Sequence, residues 1–396
     1  CAYASHGHAI AANGLTSWRL QYVCPNIRGE AYTIYTNTPV GGAMRGYGIP
    51  QVCFAIESFM DDVANEIHMD PLEFRRKNLI QGYYEDAYLK PIAANTNGIF
   101  ECLEKGAEYI HWDEKRKEYA EQAGDVRKGV GMALFSYKTG VWPISLEIAG
   151  ARLSLNQDGS VQLMLGATEI GQGADTVFSQ MVAETLHTDM EHVHIKTVQD
   201  TDVSPFDTGA YASRQSFVTG TAVRHCAEIL RDKILAYAKT LLPEIDTREL
   251  TLKDNWIWAG DEQAISLAAL AEESYYSLTN SSVLTAEVSE QVKKNTIATG
   301  CCFAEVEVDI KLGKIKILHI INVHDSGKLL NPQLAEMQVH GGMSMGMGYG
   351  ISEQLILDEK TGRPLNGNLL DYKLMTMLDT PDIKADFVEL CDPMGP

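Results

Sequence analysis

The sequence predicts an α+β protein: two lobes, each a mixed, mainly antiparallel sheet carrying helices. Three observations predict it. Apolar alternation comes in adjacent pairs of runs joined by tight turns, as in hairpins, and not as isolated buried runs. Between those pairs lie segments with apolar residues at helical spacing. The chain has 396 residues, 45% of them hydrophobic, which is enough for more than one core.

Taken in order, Arg19–Cys24 and Ala31–Thr36 are short, aromatic and β-branched, and read as strands. A helix is expected from Gln51 to Ile67, because Val52, Ile56, Phe59, Met60 and Val63 share one face. Asp70-Pro71 starts a second, basic helix over Leu72–Leu79, with Asp as cap and Pro at the first helical position. Residues 81–100 are rich in turn formers, so a boundary is placed there: a first domain over 1–97 and a second over 98–396, truncated at its end. The second domain begins with a charged helix near 99–123 and a strand at Gly129–Phe135. Ala151–Leu155 and Ser160–Leu165 then form a hairpin about Asn156-Gln-Asp-Gly159. Helices are predicted at Ala174–Leu186, Ser213–Leu242 and Pro332–Met347. Strands are predicted at Val193–Val198, Cys302–Ile310 and Lys314–His324.

Composition excludes several classes. With 33 Lys+Arg against 53 Asp+Glu the formal charge is −20, which disfavours a nucleic-acid or anionic-membrane binder, since both want a basic face. No apolar run is long enough to span a bilayer, and no signal peptide is visible. The first residue is Cys1 and the last two are Gly395-Pro396, so a fragment of a longer chain is expected. Eight scattered cysteines without a CxxC pair read as buried free thiols in a reducing cytoplasm, not as a zinc or iron–sulfur site. His187, His192 and His194 lack a third ligand at metal spacing and read as ordinary surface or core histidines.

Three loops carry chemical interest. In Gly166-Ala-Thr-Glu-Ile-Gly-Gln-Gly173, glycines expose backbone N–H groups just before a helix N-terminus, which suits a phosphate or another polar cofactor edge. Gln172 offers both a donor and an acceptor. A plain strand-to-helix turn is the competing reading. A dinucleotide loop fits badly, because Thr176 stands where the third glycine belongs. In Gly41-Gly-Ala-Met-Arg-Gly-Tyr-Gly-Ile-Pro-Gln51, Arg45 offers a fork for oxyanions and Tyr47 a flat face for a ring. The alternative is a structural loop with Arg45 in a salt bridge. In Asn331–Gly350, small residues announce a closely packed helix, Gln338 precedes Gly341-Gly342 by one turn, and the methionines read as packing, not as copper ligands.

Together these loops resemble one family, the molybdenum hydroxylases, which include xanthine dehydrogenase and aldehyde oxidoreductase. The chain is similar to the later part of their molybdopterin-binding subunit, over essentially its whole length. Six motifs recur in order. They are Ala2-Tyr-Ala-Ser-His-Gly7, Asn37–Gln51, Asp70–Leu79, Gly159–Gly173, Asp200-Thr-Asp202 with Thr208-Gly-Ala-Tyr-Ala-Ser-Arg-Gln215, and Asp325-Ser-Gly-Lys…Asn331-Pro with Gln338-…-Gly-Gly.

The resemblance implies a reaction: hydroxylation of an electron-poor carbon of a purine-like heterocycle (xanthine or hypoxanthine type) or of an aldehyde. The oxygen comes from water, and a glutamate serves as base. The metal would be held by the pterin dithiolene, with no direct protein ligand. Electrons would leave through 2Fe-2S clusters and FAD on partner subunits or domains, so a cytoplasmic hetero-oligomer is implied. By motif, Gly46, Gly171, Gln172, Gly173, Ala210, Tyr211, Ala212, Ser213 and Gln338 would contact the cofactor. Arg45 would sit beside molybdenum, Tyr47 would stack on substrate, and Phe135 (or Tyr137) would supply a second aromatic. The family glutamate lies just after a stretch like Asp392–Pro396, so residues 1–396 alone are expected to be inactive. No arginine stands near Asn13 and Gly14, where purine-hydroxylating members carry one. A non-catalytic assembly module of the same fold, or a nucleotide-binding oxidoreductase, are the competing functions.

Overall fold

The structure is a computed structural model of the chain. It describes all residues except Cys1, Ala2, Ala4, Ser5, Trp18, 86–90, 94–97, Thr197, Thr247, Arg248, Met394 and Pro396; at 91–93 it describes the backbone alone. Most of the motif at residues 2–5, the Asn95–Asn97 part of the turn-rich stretch, and the end of the predicted 193–198 strand therefore touch residues outside the described ones. The chain divides into two compact units. One comprises Cys1–Tyr137 with Ile297–Pro393; the other comprises Lys138–Thr296.

The first unit opens with helices α1 (Gly7–Ser17), α2 (Ile49–Glu66) and α3 (Pro71–Asn78). The cap of α3 forms as the sequence predicts: the Asp70 carboxylate accepts from the N–H groups of Leu72 and Glu73. Of the two strands expected earlier, neither forms. Residues 19–24 contribute one isolated bridge, Tyr22 to Leu79. Residues 31–36 pair with no strand among the described residues, and Tyr32, Ile34 and Tyr35 are exposed. Aromatic and β-branched residues favour strands by packing on a half-buried surface, and no such surface faces them among the described residues. A ribbon of β1 (Tyr83–Glu85) and β2 (Pro91–Ala93) follows. The expected 99–123 helix is two, α4 (Ile99–Ile110) and α5 (Trp112–Glu118), divided at His111, whose φ is 57°. Strand β3 (Val126–Thr139) leads toward the second unit.

The second unit is built on the expected hairpin, β4 (Ile148–Leu155) and β5 (Val161–Leu165). Helix α6 (Ala174–Leu186) returns the chain to β6 (Val193–Ile195), which pairs parallel to β5. A π-helical turn, Gln215–Thr219, precedes α7 (Gly220–Leu241), so the predicted 213–242 helix starts irregularly. Then come β7 (Leu250–Lys253), β8 (Trp256–Ala259) and β9 (Glu262–Ser266), an antiparallel sheet, followed by α8 (Leu267–Tyr276) and β10 (Thr285–Gln291). The main sheet runs β10-β4-β5-β6, and its apolar face is sealed by α6 and α7. Leu153, Leu155, Leu163, Val182, Leu186, Leu230 and Ile234 lose essentially all solvent contact there, each contributing on the order of 2 kcal/mol of burial.

The chain re-enters the first unit through β11 (Thr296–Asp309), β12 (Lys314–Asp325), α9 (Pro332–Ile351) and β13 (Asp382–Phe387). Their sheet has the order β13-β12-β11-β3, with β12 and β13 parallel. Strand alternation assigns its two faces. Cys301, Phe303, Ile321 and Val323 pack with α4 and α5. Cys302, Ala304 and Ile320 pack with Val339, Met343 and Met347 of α9, so these two methionines are packing residues, whereas Met337 of the same helix is exposed. Gly106 of α4 is required by the close approach: a Cβ there would lie 2.4 Å from the Phe303 ring. The described cysteines are free, but not all are buried as expected: Cys24 and Cys391 are exposed, while burial pushes the thiols of Cys53, Cys226 and Cys302 up to about 12, which makes them poor nucleophiles. Mixed, mainly antiparallel sheets with helices are the predicted fold class. Sequence reading missed α1, β1, β2, α8, β7–β10 and β13.

Candidate functional site

The first unit brings Arg45 and Gln338 together, 293 positions apart. An Arg45 Nη2–H donates to the backbone oxygen of Gln338 at 2.5 Å and to its Oε1 at 3.1 Å. The glycines of α9 make this possible: a Cβ on Gly341 would lie 2.9 Å from Arg45 Nη1. Among the described residues Arg45 makes no ion pair, so the structural salt-bridge reading fails and the remaining guanidinium edge keeps its oxyanion-binding capacity. Gly46 and Tyr47 have φ of 90° and 44°, and the Tyr47 hydroxyl donates to the backbone oxygen of His6 at 2.7 Å.

Phe135 lies in a row across one end of the sheet. On β11 its neighbour is Gly300, where a Cβ would come within 2.4 Å of the Phe135 ring and 2.6 Å of Val323 O. Missing that side chain, Phe135 reaches His324, with ring centroids 4.8 Å apart, and Phe387 flanks the imidazole on its other side at 5.8 Å. The Nε2 of His324 is buried without a hydrogen-bond partner. Burial, reinforced by the nearby Arg45 charge, lowers this imidazole to about 4, so it is neutral at physiological pH.

In the second unit the Gly166–Gly173 loop joins β5 to α6. Gly171 and Gly173 adopt φ of 96° and 85°, conformations a side chain disfavours, and turn their N–H groups inward. What they meet is a correction to the sequence reading. Glu169 accepts from the N–H groups of Gly171 (2.6 Å), Gly173 (3.1 Å) and Asp175 (3.1 Å). The α6 N-terminus is filled by the chain's own carboxylate, not presented to a phosphate. Desolvation raises the Glu169 carboxyl, but the N–H groups of Asp175, Gly173 and Gly171 outweigh it and hold the group below the usual carboxylate range. This also removes the dinucleotide reading, although β5, α6 and β6 do form a βαβ unit.

Gln172 is fixed on both ends of its amide. Its Oε1 accepts from the N–H of Ile170 at 2.6 Å, and its Nε2 donates to Thr168 O at 3.0 Å and to Gln215 Oε1 at 2.5 Å. Gln215 also donates to Thr168 O at 3.1 Å. Just before it, Gly209, Ala212 and Ser213 have φ of 125°, 48° and 52°. Two such values on non-glycine residues cost about 1 kcal/mol each. The loop holds because Arg214 is fully buried. Its guanidinium donates to Glu147 (2.6 Å), Asp207 (2.6 Å), Gly209 O (3.1 Å) and Ile148 O (2.8 Å). The Ala212 oxygen accepts from Gly140 N–H. Tyr211 and Ser213 are exposed, and Thr208 Oγ1 is buried without a partner.

Residues 1–79 and 105–381 each match the family described as molybdopterin cofactor-binding domain. The chain belongs to the molybdopterin cofactor-binding family. It is 46% identical over 402 residues to the putative xanthine dehydrogenase molybdenum-binding subunit XdhA of Escherichia coli (strain K12), covering 100% of this chain and 52% of that protein. It is 30% identical over 408 residues to the probable hypoxanthine oxidase XdhD of the same organism, covering 100% of this chain and 41% of that protein. Its fold is similar to quinoline 2-oxidoreductase from Pseudomonas putida 86, with a TM-score of 0.88 at 23% identity, over 99% of this chain and 51% of that one. The chain thus spans about half the length of the relatives it matches.

Four residues of this chain, a member of the molybdopterin cofactor-binding family, escaped sequence reading. Glu169, Arg214 and Gln215 stand inside the quoted motifs, and a polar residue repeated beside a glycine turn was the available signal. His324 directly precedes Asp325-Ser-Gly-Lys, and nothing in its neighbours marked it. Among the described residues no group of three His, Cys, Asp or Glu could hold a metal, and no helix is long and apolar enough to cross a membrane.

Proposed function

We propose that the protein binds molybdopterin and works as part of a molybdenum hydroxylase that oxidises a purine-like heterocycle with oxygen from water. The single observation that supports it most is similarity along the whole chain to a relative named for xanthine dehydrogenase, with the Arg45 and Gln172 loops in place. The residues fit a polar, electron-rich cofactor. Among the described residues Arg45 lacks a carboxylate partner, Gln338 offers its amide, Gln172 keeps the second lone pair of its Oε1, and the Ala210–Ser213 loop carries exposed Tyr211 and Ser213 beside the unpartnered Thr208 hydroxyl.

Gly46, Ala210–Ser213, Gln172 and Gln338 would hold the cofactor by amide, backbone and hydroxyl contacts, while Gly171 and Gly173, whose N–H groups Glu169 takes, would shape the turn that presents Gln172. When bound, it supplies an activated oxygen for attack on carbon and takes up the electrons. Arg45 would fix an anionic or carbonyl edge of the substrate and stabilise charge as it develops. Tyr47 and Phe135 would face its ring. The neutral His324 beside Phe135 keeps a second positive charge away from Arg45. Iron–sulfur and FAD partners would carry the electrons onward in a cytoplasmic hetero-oligomer. We place the boundary between the two cofactor-binding regions near residue 97, between the two family matches.

The test is turnover by the purified holoenzyme in ¹⁸O-water, on xanthine, hypoxanthine and an aromatic aldehyde. The expected result is labelled uric acid and at least a hundredfold lower kcat/KM for Arg45→Met on the purines. Absence of molybdenum, or an unlabelled product, overturns the proposal. Preference for the aldehyde corrects the substrate class.

A further inference from the structure

The second unit contains a small polar machine around Gln172 that a turn does not need. Three consecutive features converge on it. Glu169 gathers the N–H groups of Gly171, Gly173 and Asp175. Gln172 itself closes back on Ile170 N–H and Thr168 O. Gln215, buried and 43 positions away, accepts the remaining amide hydrogen of Gln172 and donates to the same Thr168 oxygen.

We propose that Glu169 and Gln215 are positioning residues that preset the Gln172 amide, fixing both its location and which end is donor and which acceptor, before cofactor binds. This rests on the reading of Gln172 as a cofactor contact. A side-chain amide is symmetric in shape but not in chemistry, so a free glutamine would present either end. Here Ile170 N–H must meet an oxygen, while Thr168 O and Gln215 Oε1 must meet hydrogens, and a flipped amide would place like against like at all three points. Gln215 gets its own sense from Thr168 O, which forces its Nε2 there and its Oε1 toward Gln172. Glu169 does the corresponding work for the backbone. Without an anion at their centre, two glycines at positive φ would leave the turn for many other conformations. Only a carboxylate, an acceptor on both oxygens, satisfies N–H groups arriving from three residues.

The experiment compares Glu169→Gln, Gln215→Met and Gln172→Ala with the unaltered holoenzyme, and adds Leu153→Ala as a control that weakens the apolar core of the same unit without touching these hydrogen bonds. Hydrogen exchange of the 168–176 peptide reads the presetting directly on cofactor-free protein. Molybdenum per chain and the Mo(V) EPR line shape read its consequence. The expected result for Glu169→Gln is at least tenfold faster exchange in that peptide. Glu169→Gln and Gln215→Met should each retain at least threefold less molybdenum or show an altered EPR line shape. Leu153→Ala should lower the melting temperature without any of these changes. Unchanged exchange in Glu169→Gln, or unchanged molybdenum and EPR in both variants while Gln172→Ala loses them, overturns the inference. Should Glu169→Gln fail to fold, Gln215→Met decides by the molybdenum and EPR criteria. If Gln172→Ala keeps its molybdenum, its EPR signal and its KM, the reading of Gln172 fails instead, and the exchange data still judge the presetting.

Discussion

Among the described residues each unit buries one arginine completely, and the two are used differently. Arg75, on α3, donates to the Glu57 carboxylate (2.8 Å) and backbone, to Asp61 (2.6 Å) and to Pro71 O (3.3 Å). Glu57 also accepts from the Tyr22 hydroxyl and from Leu134 N–H on β3. This clamp ties two helices to a strand, all in ordinary backbone conformations. Arg214 has the same donor pattern, but both of its carboxylates, Glu147 and Asp207, are fully buried, whereas Asp61 is partly exposed. Its clamp surrounds a loop with three positive φ values. Packing alone seldom justifies taking three charges out of water, since apolar replacements often do as well. The first clamp joins elements; the second holds a strained loop in shape, and that loop carries the residues assigned to the cofactor.

The largest effects should come from breaking the clamps. Arg75→Met leaves the buried Glu57 carboxylate uncompensated and Arg214→Met leaves two, Glu147 and Asp207, and each should cost about 3–5 kcal/mol in chemical denaturation. Only Arg214→Met should speed hydrogen exchange across residues 208–214. Equal exchange in both variants would erase the distinction drawn between the clamps.

A second test uses pH on the first unit. His324 titrates near 4 when folded against 6.5 for a free imidazole, so between these values the unfolded chain binds the extra proton. Its contribution is complete above pH 6.5 and is lost as pH falls toward 4, by up to about 3 kcal/mol. His324→Gln should flatten the stability profile over this window, measured by denaturant midpoints from pH 7 to 4. A profile as steep as that of the unaltered protein would show that His324 is not held neutral by its surroundings.

The smallest effect is steric. Gly300→Ala should cost about 1–3 kcal/mol by driving a methyl group into Phe135 and Val323 O. It should leave exchange at 168–176 unchanged, because the strain stays in the first unit. A neutral substitution would mean that Phe135 moves freely and does not define the aromatic row.

The sequence by itself determined the elements whose signals are local. The Asp70-Pro71 cap, the hairpin about Asn156–Gly159 and α6 follow from turn chemistry and periodicity, which neighbours along the chain suffice to set. The loops were legible too, as runs of glycine beside one polar residue. Tertiary structure decided what each polar group meets. Tyr32, Ile34 and Tyr35 read as a strand yet lie exposed, because strand preference depends on a surface supplied by other parts of the chain. Glu169, not a ligand, fills the α6 N-terminus, and Gln338 lies beside Arg45 across 293 positions. Propensity acts over a few residues, while hydrogen-bond partners and desolvation depend on what folding brings within about 3 Å.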